Sequence, residues 1–340
     1  MPSITGKSSL YAFAAILAST VFVSAQPAAA ACGKVTIADM NWASASAVAW
    51  IDKIILSSGY GCDAQIVAGD TMPTIASMTE KSEPDIAPET WINGARQVLD
   101  KAVADGRLVY ATDEIAGGAI DGLWIPKYMQ EAHPDLKTVA DVLKHPELFP
   151  DPEDSSKGAI FNCPAGWSCQ ITTANHYKAY KMKEAGFTLV DAGSGAGLDG
   201  SIAKAFQRKQ GWFGYYWAPT AILGKYDMVR LDPAPGVTYD EEYWNACFSK
   251  ADCTPTKPSA PAPAPIKTVV TAKFKKEAGP AYEYIAKRQL TIDQINKFLA
   301  WATNNQATGE ATAKYFLKNS EAVWTAWVTP EAAAAIKKAL

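Results

Sequence analysis

Short apolar runs alternate with helical segments from the first strand-like stretch onward, and that alternation limits what the chain can become. Lys34-Val35-Thr36-Ile37-Ala38-Asp39 reads as a buried strand. A helix follows through Ala47 to Leu56, with Ser44 or Ser46 able to cap it. Gly59-Tyr60-Gly61 ends that helix, and Cys62 to Val67 forms a second strand. A further helix begins near Thr71, and Asp85 to Trp91 is a short third strand. Strand, helix and strand in repetition predict an α/β fold with a mostly parallel sheet flanked by helices. Ligands of such sheets gather beyond the carboxyl ends of the strands. Trp42 and Trp91 both fall there.

The pattern changes at Gly117-Gly118 and Gly122, which suits a crossover into a second lobe. Leu123 to Tyr128 opens that lobe, a helix lies near Thr138 to Leu143, and Phe187 to Asp191 is a strand. Ser201 to Lys209 is helical, and Trp212 to Pro219 is a strand ending in aromatics. Residues 232–265 are rich in Pro and Ala and read as an irregular surface excursion, since such composition builds no core. A strand resumes at Thr268 to Thr271, and residues 292–303 and 310–327 are helical. The expected division is therefore 32–117 with 268–340 in one lobe and 118–267 in the other.

Composition narrows the function. The chain has 340 residues, a net charge of −3 and 48% hydrophobic residues, enough for two packed domains and without the basic footprint of a nucleic-acid binder. Residues 1–31 read as a signal peptide: Lys7 gives the positive start, Leu10 to Val23 the apolar region, and Ala28-Ala29-Ala30-Ala31 the small-residue cleavage site. Export to the periplasm follows. Cys32 directly after Ala-Ala makes lipid attachment an alternative. Otherwise the 6 cysteines form an even set in an oxidising compartment. Proximity suggests Cys163–Cys169 and Cys247–Cys253, leaving Cys32 and Cys62, although other connectivities stay open. Neither short pair has zinc-site spacing and the chain has only 3 histidines, so no metal is expected.

Two features could carry chemistry. Gly195-Ala196-Gly197-Leu198-Asp199-Gly200 matches a dinucleotide-binding pattern, but no acidic residue follows at the required distance, and an exported protein meets little nicotinamide cofactor. It reads instead as a turn before a helix, capped by Asp199 or Ser201; no cofactor is expected. The second feature is Cys163-Pro164-Ala165-Gly166-Trp167-Ser168-Cys169. Closed by a disulfide, this ring would fix a loop holding an electron-rich indole just ahead of a helix whose first amides suit an anion. A cation face beside an anion site predicts a small zwitterion or methylated ammonium ligand.

The 11 Trp support this idea. Trp50, Trp301, Trp324 and Trp327 sit at helical spacing among apolar residues and read as packing. Trp244, next to Cys247, reads as a cover for that disulfide. Trp42, Trp91, Trp167 and Trp217 instead fall in loops or at strand ends, as expected for a shared cavity. A trimethylammonium head offers no strong N–H donor, so aromatic faces hold it better than carboxylates do. No G-x-S-x-G or H-E-x-x-H motif is present, and carboxylates are scattered, so no enzyme is expected. The competing class is an exported hydrolase of choline-like esters, for which His176, read as helix surface, is the one histidine near the loop.

Cys163 to Cys169, Glu89-Thr90-Trp91-Ile92-Asn93 and Tyr215-Tyr216-Trp217-Ala218-Pro219 resemble the substrate-binding proteins of glycine betaine/proline betaine ABC importers, over most of the mature chain. The resemblance implies a two-lobe periplasmic-binding-protein fold (type II) that closes over its ligand. The loaded protein, a monomer, would then dock on a permease in the inner membrane. The same resemblance implies that Trp91, Trp167 and Trp217 form an aromatic cage and that the N–H groups of Ser168 and Cys169 hold a carboxylate. Ala95 stands where betaine binders can carry a His. Trp42 and Asp121 are additional candidates. The chain is also similar to a subgroup that binds trimethylamine N-oxide, for which an acidic side chain near the cage is useful; choline is an alternative for the same reason.

Overall fold

The computed structural model describes residues 1–3, 6 and 32–340; nearly all of the expected leader lies outside them. Among the described residues, no helix is long and apolar enough to cross a membrane. Two five-stranded sheets organise the rest. The first contains β1 (Lys34–Met40), β2 (Asp63–Gly69), β3 (Ile86–Trp91), β4 (Leu108–Asp113) and the late strand β10 (Ile266–Thr271), in the order β2-β1-β3-β10-β4. The second contains β5 (Ile120–Pro126), β6 (Gly158–Asn162), β7 (Phe187–Asp191), β8 (Gly214–Ala218) and β9 (Met228–Arg230), in the order β7-β6-β8-β5-β9.

The two sheets share one logic. In the first, β1 pairs in parallel with β2 and β3, while β10 runs antiparallel to β3 and β4. In the second, β6 pairs in parallel with β7 and β8, while β5 runs antiparallel to β8 and β9. The sheets are thus mixed, because a strand that has arrived from the other sheet, β5 or β10, enters each one in the opposite sense. Both faces are covered by helices, in keeping with the α/β expectation.

Helix α1 (Ala43–Tyr60) buries Ala47, Val48, Ile51, Ile55 and Leu56 against the first sheet and ends at Gly61 in the left-handed conformation. Its N-cap is Trp42, with no side-chain cap, so neither Ser44 nor Ser46 caps it. Ser44 is used elsewhere: its hydroxyl donates to Glu89 Oε1 at 3.0 Å. The glycine-rich stretch at 195–200 also differs from expectation. It is the first turn of the helix Gly195–Arg208 rather than a turn before it, capped by the Ser194 hydroxyl, which accepts from Gly197 N at 3.0 Å. Residues 232–265 do more than loop across the surface. Trp244 and Phe248 stack at 5.5 Å and, with Ala262, make a small buried cluster of their own. Trp324 and Trp327 are buried as expected, and Trp301 stacks on Tyr315 at 4.2 Å.

Three disulfides connect Cys32 with Cys62, Cys163 with Cys169, and Cys247 with Cys253. The first ties the start of β1 to the start of β2 and engages the sulfur that lipid attachment would need.

Arg288 sits fully buried behind the first sheet. Its Nε lies 2.8 Å from Asp52 Oδ1 of α1, and Nη1 lies 3.7 Å from Glu114 Oε1. Nη2 donates to the Pro88 carbonyl of β3 at 3.1 Å and to Thr268 Oγ1 of β10 at 2.7 Å. One guanidinium therefore joins a helix, two strands and the first crossover. Removing one partner of a buried ion pair leaves an uncompensated charge, which costs about 3–5 kcal/mol. Arg288→Met should lower unfolding stability in urea by about that amount; a loss below ~1 kcal/mol would show that the carboxylates simply neutralise without cost.

Candidate functional site

The ends of four elements meet between the sheets. Trp42 follows β1, Trp91 ends β3, Trp167 closes the disulfide ring after β6, and Trp217 lies in β8. Each sheet thus contributes two indoles. All four line one small cavity, together with Thr71, Asn93, Ser168, Cys169 and Tyr215. Trp167 stands edge-on to both Trp42 (ring centroids 5.3 Å apart) and Trp217 (5.2 Å). Every one of the four indoles is less than a tenth exposed.

The ring explains how Trp167 is placed. The Pro164 carbonyl accepts a hydrogen bond from Trp167 N at 3.3 Å, Gly166 adopts φ +93°, and the helix Ser168–Ala179 starts directly after Trp167. Gly166 is demanded twice over. Its φ is one that L side chains rarely adopt, and a Cβ there would stand 2.8 Å from Asp70 Oδ2. Ser168 and Cys169 hold the first two helical positions, where backbone N–H groups have no acceptor within the helix. Their donors and the helix dipole make this wall of the cavity suited to negative charge. Among the described residues, no side chain lining the cavity carries a formal charge.

Polar contacts across the cavity hold the two halves together. Trp167 Nε1 donates to Asn41 Oδ1 at 2.5 Å, and Met72 N donates to the Gly166 carbonyl at 3.0 Å. Asn93 Nδ2 donates to Asp121 Oδ2 at 3.0 Å. Gly94 meets the ring so closely that a Cβ there would lie 2.5 Å from Ser168 Cβ.

Asp121 does not line the tryptophan cavity; it stands behind Asn93 and Tyr215, whose hydroxyl donates to its Oδ2 at 3.3 Å. It faces instead a small adjoining cavity. Ala95, at the position where betaine binders can carry a His, is buried and lies outside the cavity lining. His176 faces the adjoining cavity and is buried, not on the helix surface as expected. It packs against Phe248 at 4.9 Å, its Nδ1 has no partner among the described residues, and burial pushes its pKa down to about 4. Trp244, expected to cover a disulfide, packs on Phe248, and its Nε1 donates to the Asn93 carbonyl at 2.8 Å, linking residues 232–265 to the rim of the site. Among the described residues, no cluster of three or more His, Cys, Asp or Glu could hold a metal ion.

Sequence reasoning passes over Glu89, Asn93 and Tyr215 as individuals, although all three lie in stretches singled out for their tryptophans. Strand parity points to Tyr215, since residues two apart in β8 share a face with Trp217. Thr71 carries no comparable signal.

Comparison with known proteins places the chain. A family profile described as the substrate-binding domain of ABC-type glycine betaine transport systems matches residues 33–319. The chain belongs to this family. Its members are solute-binding proteins rather than enzymes; they act outside the cytoplasm and pass a small ligand to an ABC permease. No curated protein matches the chain by sequence. Among solved structures, the glycine betaine/L-proline-binding protein ProX from Borrelia burgdorferi is similar at 16% identity and a TM-score of 0.70, covering 89% of this chain and 99% of that one. An ABC-transporter choline-binding protein in complex with choline is similar at 17% identity and a TM-score of 0.69, covering 91% and 98%. Lactococcal OpuAC, closed on glycine betaine, is similar at 20% identity and a TM-score of 0.64, covering 87% and 100%. At these identities the likeness establishes the two-lobe fold.

Burial is the main cause that raises the Asp121 pKa from 3.8 to about 6, against the pull of Asn93, Tyr215 and Arg230. A carboxylate with a raised folded-state pKa binds its proton more tightly in the native state, so its charge costs stability above the folded value. That cost vanishes as pH falls from about 6 to about 4. At neutral pH it amounts to about 3 kcal/mol. Asp52, Glu89 and Glu114 move in the same direction, so the difference between wild type and Asp121→Asn isolates this group. Melting temperatures should show wild type gaining on Asp121→Asn as pH falls from about 7 to about 4.5; parallel curves would mean that Asp121 is solvated.

Proposed function

We propose that this protein captures a small methylated-ammonium compound between its two lobes, with glycine betaine or proline betaine ahead of trimethylamine N-oxide and choline. In this reading Trp42, Trp91, Trp167 and Trp217 surround the methylated nitrogen. The N–H groups of Ser168 and Cys169 take the anionic end. The observation that carries it is the convergence of four indoles, two from each sheet, on one cavity without a charged side chain in its described lining. A cation there is met by ring faces, each contributing on the order of 0.5–2 kcal/mol once water is excluded. A zwitterion fits better than a bare cation, because its carboxylate finds unpaired amides and its ammonium needs no counter-ion. Choline would call for a carboxylate in the lining, and Asp121 is set back behind Asn93 and Tyr215.

The rest of the reading follows. Residues 1–31 act as a cleaved leader to the periplasm. Residues 32–117 with 268–340 make one lobe and 118–267 the other, and the loaded protein, a monomer, docks on an inner-membrane permease. Hydrolysis of choline-like esters finds little support: His176 is buried among aromatic rings in the neighbouring cavity.

A thermal-shift screen with glycine betaine, proline betaine, choline, carnitine and trimethylamine N-oxide tests the ligand class, since a saturating ligand stabilises the form that binds it. One betaine should give the largest rise in melting temperature, and Trp167→Ala should weaken its binding at least about tenfold while leaving the circular dichroism unchanged. A screen in which none of the five raises the melting temperature would refute the proposal.

A further inference from the structure

Glu89 lies directly behind the tryptophan cavity, fully buried, two residues before Trp91 on β3. Its Oε1 accepts three hydrogen bonds: from Trp42 Nε1 at 2.6 Å, from Trp91 Nε1 at 3.1 Å and from the Ser44 hydroxyl at 3.0 Å. The two indoles contributed by the first sheet are therefore fastened to one carboxylate oxygen by their N–H edges. Held there, neither ring can swing about its side-chain bonds without breaking a buried hydrogen bond, which is costly.

The charge of Glu89 is as informative as its contacts. An indole carries positive potential at its N–H edge and negative potential on its faces. An anion accepting at the edge draws positive potential towards itself and leaves the faces richer in electrons, and the faces are what attract a cation. Asp52 lies 2.8 Å from Arg288. Glu114, buried and close to Glu89, is held well above the ordinary carboxylate range by burial and by its neighbour Glu89. Oε2 of Glu89 has no partner among the described residues. Burial raises the Glu89 pKa, while the two indoles, Ser44 and Arg288 favour its charged form.

We propose that Glu89 is a positioning residue that fixes Trp42 and Trp91 in the cavity wall and, through their N–H groups, makes that wall select a cationic head over a neutral group of the same shape. The proposal rests on reading the cavity as an ammonium site. It assigns discrimination by charge to a residue that never touches the ligand.

The test compares isosteres. Glycine betaine and 3,3-dimethylbutanoate differ only in a quaternary nitrogen replaced by carbon, as do choline and 3,3-dimethylbutan-1-ol. Affinities of wild type and Glu89→Gln are measured by calorimetry, with the weaker member of each pair read by competition. Gln keeps the shape and an acceptor oxygen but removes the charge. In Glu89→Gln the ammonium compound should lose about tenfold in affinity while its carbon isostere changes less than about threefold. Equal losses for both members would reduce Glu89 to a structural role and so overturn the charge-selection claim, and unchanged affinities would overturn the proposal outright. A wild type that binds none of the methylated-ammonium compounds of the thermal-shift screen would instead defeat the functional reading.

A second measurement stands apart from ligand and variant alike. In wild-type protein, two indole N–H proton resonances, assigned to Trp42 and Trp91 through Trp→Phe substitutions, should lie downfield and exchange slowly. Ordinary positions and fast exchange would overturn the contact, even if Glu89→Gln failed to fold.

Discussion

The arrangement of the first lobe depends on a single positive charge taken out of water. Arg288 reaches Asp52 on α1, the Pro88 carbonyl on β3, Thr268 on β10 and Glu114 at the first crossover. A buried guanidinium is tolerated only when its charge is answered. Here the answers come from the elements that must keep a fixed spacing: β3 carries Trp91, β1 and α1 flank Trp42, and β10 is the strand by which the chain returns. The same cluster ends in Glu89, whose carboxylate takes the N–H groups of both tryptophans. Core electrostatics and site geometry are thus one continuous construction, and neither can be altered without the other.

Much of the fold is legible in the sequence because its signals are local. The run Lys34 to Asp39, the strand at Phe187 to Asp191 and the helix near Thr138 each have a buried face or a capping residue within a few positions. What cannot be read is non-local. β6 is five residues long and begins at a glycine, so only its pairing with β7 and β8 defines it. The sense of β5 and β10 depends on which sheet the crossing chain joins, and no spacing within either strand carries that information. Caps fail for a related reason. Ser44 has the right residue type to cap α1, yet the helix starts one residue before it, at Ala43, and its hydroxyl binds a buried carboxylate 45 residues away.

The candidate site shows the same division. Cysteines and glycine mark the loop of Trp167, strand ends mark Trp42 and Trp91, and an aromatic strand before a proline marks Trp217. From sequence their convergence is an inference, and the geometry brings all four to one cavity. Asp121 looks equally promising in sequence but is screened by Asn93 and Tyr215, a distinction that only three-dimensional packing makes. His176 departs in the opposite direction. On a helix of mixed composition it reads as surface, but residues 232–265 fold over it and bring Phe248 and Trp244 against its ring.

The seam between the halves is held by a small number of polar contacts, among them Asn41 with Trp167, Met72 with Gly166 and Asn93 with Asp121, around a gap too tight at Gly94 to admit even a methyl group. Where a pocket binds only with its walls brought together, apparent affinity is the intrinsic affinity multiplied by the fraction of molecules in that closed state. Evolution can therefore retune how readily a ligand is held or surrendered by editing such a seam, with the pocket itself left untouched. A scavenger for scarce solute and a carrier for abundant solute can share identical walls and differ only in how willingly they stay closed.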